Sequence, residues 1–252
     1  MKHIKTAGFT IIETLLFLAI TGALVAGVMT GVGVSLNAQR YKDSVETFKS
    51  QLQGQYSELS SVQNTGDKGY TCNASGVIVT SANQLKGQSN CLLMGRFITL
   101  SGANVTTYPV VGVPPVTGIG TGTSGDVAAL RTYTLRVVDA AVDRSTFEWA
   151  VRTPAPVSLL FIRSPESGHT FVFTSDSAPI APTPAILRTM LADANRGERT
   201  ICLNGDGLSR SNMGIYIAAG ATGPSSIESR SNEYAKSAAR AAGLNESTAK
   251  QC

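Results

Sequence analysis

Glu13 is the residue whose type and position first suggest chemistry. It lies near the start of a long apolar run, and no further charged residue follows until Arg40. A carboxylate inside hydrocarbon costs roughly 2.5–3.5 kcal/mol on insertion scales, so an acid in such a place usually has a partner and a role. Pairing with a buried positive group would offset the desolvation of both charges. The alternatives are that Glu13 reaches the membrane surface or is protonated.

Residues for nucleophilic or acid–base catalysis are sparse. The two histidines are His3, in a basic N-terminal stretch, and His169, at the start of a Thr/Phe/Val-rich segment. A Ser-His-Asp site could be drawn with His169 and Asp176, but no GxSxG, HExxH or paired-carboxylate pattern accompanies it. We therefore expect no enzyme activity, and a membrane-tethered exported enzyme stays the least favoured alternative.

One glycine pattern matches a cofactor motif literally, at Gly120, Gly122 and Gly125. A dinucleotide fingerprint needs a strand directly before the glycines, and Pro114 and Pro115 disfavour one there. We expect no cofactor.

Four cysteines, Cys72, Cys91, Cys202 and Cys252, all follow the apolar run. An even number in an exported region indicates disulfides, for which three connectivities are open. The chain has neither a CxxC motif nor a Cys/His spacing typical of zinc, so we expect no metal site.

The apolar run itself, residues 9–36, predicts a transmembrane helix. A hydrocarbon core of ~30 Å needs ~20 apolar residues in a helix, and this run exceeds that length. Lys2 and Lys5 precede it with no acid between, so the positive-inside rule keeps the N-terminus cytoplasmic and the rest of the chain outside. The length of the run and Glu13 within it argue against a plain signal peptide; an ordinary single-span anchor is the simpler alternative.

Residues 37–66 predict an amphipathic continuation of the same helix, to about residue 64. Large apolar side chains recur every three or four residues and mark one face, at Val45, Phe48, Leu52, Tyr56, Leu59 and Val62. Gly66 ends the pattern. This half of the helix is expected to pack against an outer domain.

Residues 67–252 predict a β-rich head. Segments rich in Val, Ile, Thr, Phe and Tyr predict strands at 76–80, 92–100, 130–139, 145–151, 157–163, 169–174, 200–203 and 214–219. Short helices are expected at 185–195 and 231–243, and the alternative for the second is a loosely ordered tail held only at Cys252. Residues 101–125, poor in charge and rich in Gly, Thr, Val and Pro, predict a long surface excursion. Pro154 and Pro156 predict a connector between two strands.

The N-terminus resembles the class III leader of type IV pilins and type II secretion pseudopilins, through the run Gly8-Phe9-Thr10-Ile11-Ile12-Glu13. The resemblance implies that residues 1–8 are a leader, cut by a prepilin peptidase between Gly8 and Phe9, and that Phe9 is then N-methylated. It also implies that Glu13 sets the register of assembly by meeting the new amine of a neighbouring subunit. The implied partners are other pilin subunits, the peptidase and a membrane assembly platform.

The resemblance implies an α+β fold, in which a long helix packs on an antiparallel sheet, and disulfides Cys72–Cys91 and Cys202–Cys252. The implied location is a single-pass membrane protein that moves into an extracellular filament or a periplasmic pseudopilus. The length of 252 residues favours a minor pilin or a pseudopilin, with a large major subunit still open.

A tip-located adhesin or DNA-binding minor pilin is the second functional alternative. The excursion at 101–125 and five arginines of the head would carry that role, namely Arg131, Arg136, Arg144, Arg152 and Arg163. A scattered, solvated set of arginines is the simpler alternative to a basic face. The formal net charge of +4 is small, so charge alone predicts no nucleic-acid partner.

Overall fold

A single long helix opens the structure. The computed structural model describes residues 10–60, 70–72, 78–80, 92–115, 125–148, 151–179, 181–205, 212–232 and 252. Helix α1, Ile11–Ser60, has 50 residues without a break. The expected continuous helix is thus confirmed from residue 11 to 60, whereas its expected ends at Phe9 and near residue 64 lie outside the described residues.

The two halves of α1 differ in what covers them. From Ile11 to Leu36 nearly every side chain is exposed. From Tyr41 onwards one face is buried, and it includes the predicted residues Val45, Phe48 and Leu52. Tyr56 and Leu59 continue this face and Tyr41 begins it. The change from an exposed to a half-buried helix therefore occurs close to the boundary that the sequence predicts.

The head contains a six-stranded antiparallel sheet. Its strands are β3 (Leu92–Gly102), β4 (Asn104–Val113), β5 (Thr134–Val137), β6 (Asp143–Thr146), β7 (Thr153–Arg163) and β8 (Thr170–Ser175). The order is β5-β4-β3-β7-β8, with β6 pairing beside β5 on the same edge of β4. A separate two-stranded hairpin pairs β1 (Tyr70–Cys72) with β2 (Ile78–Thr80).

A second, three-stranded antiparallel sheet follows, in the order β11-β10-β9. Its strands are β9 (Arg199–Leu203), β10 (Met213–Ile217) and β11 (Ile227–Ser231). Arg152, just before β7, and Asn204, just after β9, exchange backbone hydrogen bonds of 3.0 and 2.8 Å. The two sheets are therefore joined by main chain as well as by side-chain packing.

The large sheet is buried on both faces. Leu159 and Phe161 of β7 pack in the core that includes α1, whereas Leu160 and Ile162 pack in a second core. Two short helices, α2 (Asp126–Thr132) and α3 (Pro184–Met190), contribute to the second core. Burial on both faces explains why β7 is a nearly unbroken apolar run rather than an alternating one.

Aromatic side chains fix α1 on its side of the head. Phe48 meets Phe147 edge to face with ring centroids 4.8 Å apart. Tyr56 meets Phe161 in the same way at 5.5 Å. Such pairs contribute roughly 0.5–1.5 kcal/mol each beyond their buried area.

The expected surface excursion at 101–125 is wrong in its first part. Residues 101–113 form the turn and second strand of a hairpin, and β4 is an interior strand with mostly buried side chains. Gly102 makes the turn with φ of 59°. Residues 116–124 lie outside the described residues.

Pro109 is the reason that β4 resembles a loop in sequence. Proline lacks the N–H that an interior strand normally donates. Here the Pro109 carbonyl accepts the Val138 N–H at 3.0 Å, so its imide nitrogen faces the same edge, away from β3. On that edge β6 pairs as far as Thr107 and β5 pairs from Val110, so the ladder is interrupted at Pro109, where Val138 donates a single bond. Proline at this gap between two short strands costs at most one hydrogen bond.

Other element boundaries also differ from expectation. The strand expected at 130–139 begins as α2, and only Thr134–Val137 is β5. The strand expected at 145–151 lies earlier, at Asp143–Thr146. Pro154 and Pro156 belong to the start of β7, where its register against β3 shifts, instead of forming a separate connector.

The later part of the chain follows expectation more closely. The expected helix at 185–195 is α3 followed by a 3-10 turn at Asp193–Arg196. Strand β11 was not predicted, and it includes Ser231, where a terminal helix was expected to begin. Residues 233–243 lie outside the described residues.

Candidate functional site

The described part of the chain begins with a capped helix end. The Thr10 hydroxyl accepts the Glu13 backbone N–H at 3.3 Å, and the Thr10 carbonyl accepts the Thr14 N–H at 3.2 Å. Threonine followed three residues later by glutamate is the sequence of a capping box. The Glu13 carboxylate also lies in the first turn, where the helix dipole favours a negative charge. Glu13 therefore has a local reason to be in this position; Gly8 and Phe9 lie outside the described residues.

The first half of α1 presents a large apolar surface to its surroundings. Ile11 is 80% exposed, Phe17 66% and Met29 72%. A soluble domain rarely exposes a continuous apolar patch of this kind. Ile11 to Leu36 is about 26 residues, or roughly 39 Å of helix, which exceeds the ~30 Å of a hydrocarbon core. Within the described residues this is one helix long and apolar enough to cross a membrane.

The threonines in this surface do not leave free polar groups. The hydroxyls of Thr14, Thr21 and Thr30 each donate to a carbonyl three or four residues earlier, at 2.9 Å for the shortest bond of each. In hydrocarbon every polar group must find its partner inside the protein. The three side chains meet that requirement within their own helix.

The glycines of this half-helix lie in open space as far as the described residues show. A Cβ placed at Gly27 or Gly31 would meet no atom within 4 Å. Small residues four apart allow another helix to approach closely. The surface that they form is open to a lipid or a second helix.

Tyr41 ties the helix to the three-stranded sheet directly after the exposed half. Its hydroxyl donates to the Leu203 carbonyl and accepts the Met213 N–H at 2.7 Å. Leu203 and Met213 stand opposite each other in the β9–β10 register, so the hydroxyl bridges the two strands. Burial raises the pKa of the hydroxyl, more than the bond from Met213 lowers it.

Sequence reasoning missed Tyr41. The available signal was its position four residues before Val45, which extends the predicted apolar face by one turn. A buried tyrosine usually needs a partner for its hydroxyl, and that partner lies 162 residues away.

A second set of bonds joins α1 to the region of β11. The Gln53 side-chain amide donates to the carbonyls of Pro224 and Ile227 at 3.0 and 2.9 Å. The Ser229 hydroxyl donates to the Glu46 carboxylate, which also pairs with Lys49. Partial burial raises the pKa of Glu46, but these hydrogen bonds outweigh it and the pKa lies below its ordinary value.

A disulfide joins Cys202 of β9 to Cys252, as the resemblance implies. Their Cα atoms are 5.1 Å apart. The Cys252 backbone is also held by two asparagines, because its N–H donates to Asn232 at 2.7 Å and its carbonyl accepts from Asn212 at 3.0 Å. Cys91 and the side chain of Cys72 lie outside the described residues.

The catalytic alternative finds no support in the geometry of His169. Asp176 pairs with Arg199 instead. His169 lies 3.9 Å from Asp126, between Nδ1 and a carboxylate oxygen, and its side chain is 69% exposed. The neighbouring hydroxyls of Ser164 and Ser167 donate to Asp126 at 3.2 and 2.8 Å. A nucleophilic serine would need to donate to the imidazole, so this cluster acts as a brace for the β7–β8 turn.

Two of the five arginines are bound to main-chain carbonyls of the chain itself. Arg131 donates to the Leu191 carbonyl through Nε and Nη2, at 3.1 and 2.7 Å. Arg163 donates to the carbonyls of Gly168 and Leu59, at 3.0 and 3.3 Å. Two of the five thus hold main chain, while Arg144 is exposed on β6. Within the described ranges no group of three or more His, Cys, Asp or Glu side chains could hold a metal ion.

Comparison with known proteins adds no relative: no family model, no curated protein and no solved structure matches the chain.

Proposed function

We propose that this chain is a type IV pilin-like subunit, which is inserted in a membrane through the first half of α1 and assembled through that half into a filament. The observation that carries the proposal is the division of α1. About 26 residues are apolar and exposed, and the next 24 or so carry a face buried in a β-rich head. A helix of this kind needs an apolar environment for one half only.

The position of Glu13 supports assembly over simple anchoring. The acid lies at the capped end of the exposed half, followed by three threonines whose hydroxyls are satisfied internally. It is the only charged side chain from Thr10 to Asn37. Cleavage between Gly8 and Phe9 would create an amine four residues before this carboxylate. In a staggered array of identical helices, the amine of one subunit and the carboxylate of the next offset each other's desolvation.

The first test is processing. The full chain is expressed in membranes with and without a prepilin peptidase, and the N-terminal peptide is identified by mass spectrometry. We expect loss of residues 1–8 and a methylated Phe9 only when the peptidase is present. Gly8→Val should stay uncut. A wild-type chain that stays uncut, or one cut elsewhere, refutes membership of this class of proteins.

The second test separates assembly from anchoring. Glu13→Gln removes the charge while keeping the length of the side chain, and Asp43→Asn is the matched control because Asp43 is an exposed acid on the head half of α1. We expect both variants to be cut and inserted like wild type, whereas only Glu13→Gln loses incorporation into filaments sheared from cells. Equal filament yield from the two variants would leave only an anchor.

A further inference from the structure

A cleft on the head, away from α1, has the composition of a binding site. It lies between β5 and α3 and has a volume of about 310 Å³. Its lining includes Arg131, Tyr133, Leu135, Ala185, Arg188 and Leu191. Small-molecule sites typically begin at about this volume and combine an apolar lining with a few polar groups.

The floor of the cleft is apolar and rigid. Tyr133, Leu135 and Leu191 are 5%, 4% and 1% exposed, and all three belong to the second core. Since these side chains are packed from behind, the cleft does not depend on a loop to keep its shape. Because little of each side chain is exposed, an apolar group placed on this floor would gain mainly from van der Waals contact with it.

Both charged side chains of the cleft are arginines. Arg131 is oriented by its two bonds to the Leu191 carbonyl and lies 3.3 Å from Asp193. Its Nη1 has no acceptor within the described part of the chain. Arg188 projects from α3, is exposed, and has no acceptor among the described residues either. Guanidinium groups bind carboxylates and phosphates through paired hydrogen bonds.

The neighbouring cleft differs from this one in the charges of its lining. That cleft shares Arg131 and also contains Arg196, but its lining includes Asp126 and Asp193, so its charges balance. The β5–α3 cleft has two arginines and no acid in its lining. Arg131, which both clefts share, is paired with Asp193, so the charge that the β5–α3 cleft adds without an acid partner among the described residues is that of Arg188.

We propose that the β5–α3 cleft binds a small ligand with one carboxylate or phosphate group attached to an apolar or aromatic body. The anionic group pairs with Arg188 and the free edge of Arg131, and the body lies on Tyr133 and Leu135. This inference goes beyond the proposed assembly function and does not depend on it.

The test uses the full chain in mild detergent and calorimetric or NMR titration with four probes. Phenyl phosphate and benzoate carry both parts of the ligand, inorganic phosphate carries only the charge, and benzyl alcohol only the ring. We expect phenyl phosphate or benzoate to bind at least about 10-fold more tightly than the two partial probes, a factor that corresponds to about 1.4 kcal/mol. The better of the first two identifies the anionic group.

Three variants identify the site. Arg188→Ala should weaken binding of the better probe about 10-fold or more, and Ala185→Glu, which places an acid at the cleft, should abolish it. Arg144→Ala, an exposed arginine on β6, is the matched control and should bind like wild type. The inference is overturned if no probe binds at about 10 mM, if the partial probes bind equally well, or if Arg188→Ala and Arg144→Ala behave alike.

Discussion

Replacing Tyr41 with phenylalanine tests how the exposed helix is joined to the head. The substitution keeps the ring, which is 1% exposed, and removes only the hydroxyl. The Leu203 carbonyl then loses its donor and the Met213 N–H its acceptor, in a site that water does not reach easily. A buried polar group left without a partner costs roughly 1–3 kcal/mol, so the two together should cost about 2–6 kcal/mol.

The assay is thermal unfolding of the full chain in mild detergent, followed by near-UV circular dichroism. For a domain of this size 1 kcal/mol corresponds to a change in Tm of roughly 2–4 °C, so Tyr41→Phe should lower the Tm by about 4–24 °C. Limited proteolysis at the same temperatures should show the region of β9 and β10 becoming accessible before the large sheet.

Tyr216→Phe is the matched control. The Tyr216 hydroxyl donates to Glu198 at 3.1 Å, but the bond is exposed to solvent. Water replaces such a partner, so the change should be within about 0.5 kcal/mol. If Tyr41→Phe unfolds within 1–2 °C of wild type, or if Tyr216→Phe has the larger effect, the bridge to β9 and β10 does not hold the helix.

Three further predictions concern the same head. Gly95→Ala should destabilise the head by about 3 kcal/mol, because the added Cβ would lie 2.2 Å from the Phe161 carbonyl oxygen of the adjacent strand. The control is Gly54→Ala, in open space on α1, which should stabilise the chain by up to about 1 kcal/mol. Equal Tm values for the two variants would contradict the steric argument. Replacing both Cys202 and Cys252 with serine should lower the free energy of unfolding by about 4 kcal/mol, since the bridge spans 50 residues; an unchanged denaturation midpoint would show that it stabilises nothing. Burial raises the pKa of Tyr56 from 10.0 to about 12, so the stability that its neutral form contributes is complete below pH 10 and is lost as the pH rises through 12. Spectrophotometric titration should therefore show this tyrosine ionising together with unfolding. Ionisation near pH 10 in a chain that is still folded would contradict its burial.

The long helix was predictable because its evidence is local. The run from Phe17 to Leu36 contains no charged residue, and Val45, Phe48 and Leu52 repeat with helical spacing. Both signals depend only on neighbours in sequence. The boundary between the exposed and the buried half was predictable for the same reason.

The hairpin of β3 and β4 could not be derived in that way. Pro109 and Gly112 are each unfavourable for an interior strand when judged by their own propensities. They are accommodated by features that come from elsewhere in the chain: the gap between β5 and β6 opposite Pro109, and the Met94 sulfur, which occupies the place where a Cβ at Gly112 would be. Tertiary context overrides the local signal at both positions.

The candidate sites also divide into those visible in local sequence and those that only the tertiary fold brings together. The apolar surface and Glu13 are sequence-local features, whereas the cleft between β5 and α3 brings together Arg131 and Arg188 from segments that are distant in sequence. The bridge from Tyr41 to Leu203 and Met213 also needs the tertiary fold. Processing between Gly8 and Phe9 stays a prediction, as does the pairing of Cys72 with Cys91.

The inward bonding of Thr14, Thr21 and Thr30 has a consequence for how identical helices can be arranged. Because these hydroxyls donate within their own helix, no polar side chain between Glu13 and Ser35 has a donor left for a specific hydrogen bond to a neighbouring helix. Sliding or rotation of one apolar half past another would therefore break no hydrogen bond. The axial offset between neighbouring helices must therefore be set at the two ends of the apolar half, by Glu13 at one end and by steric contact between heads at the other. The apolar segment between them determines only the distance that separates these two contacts.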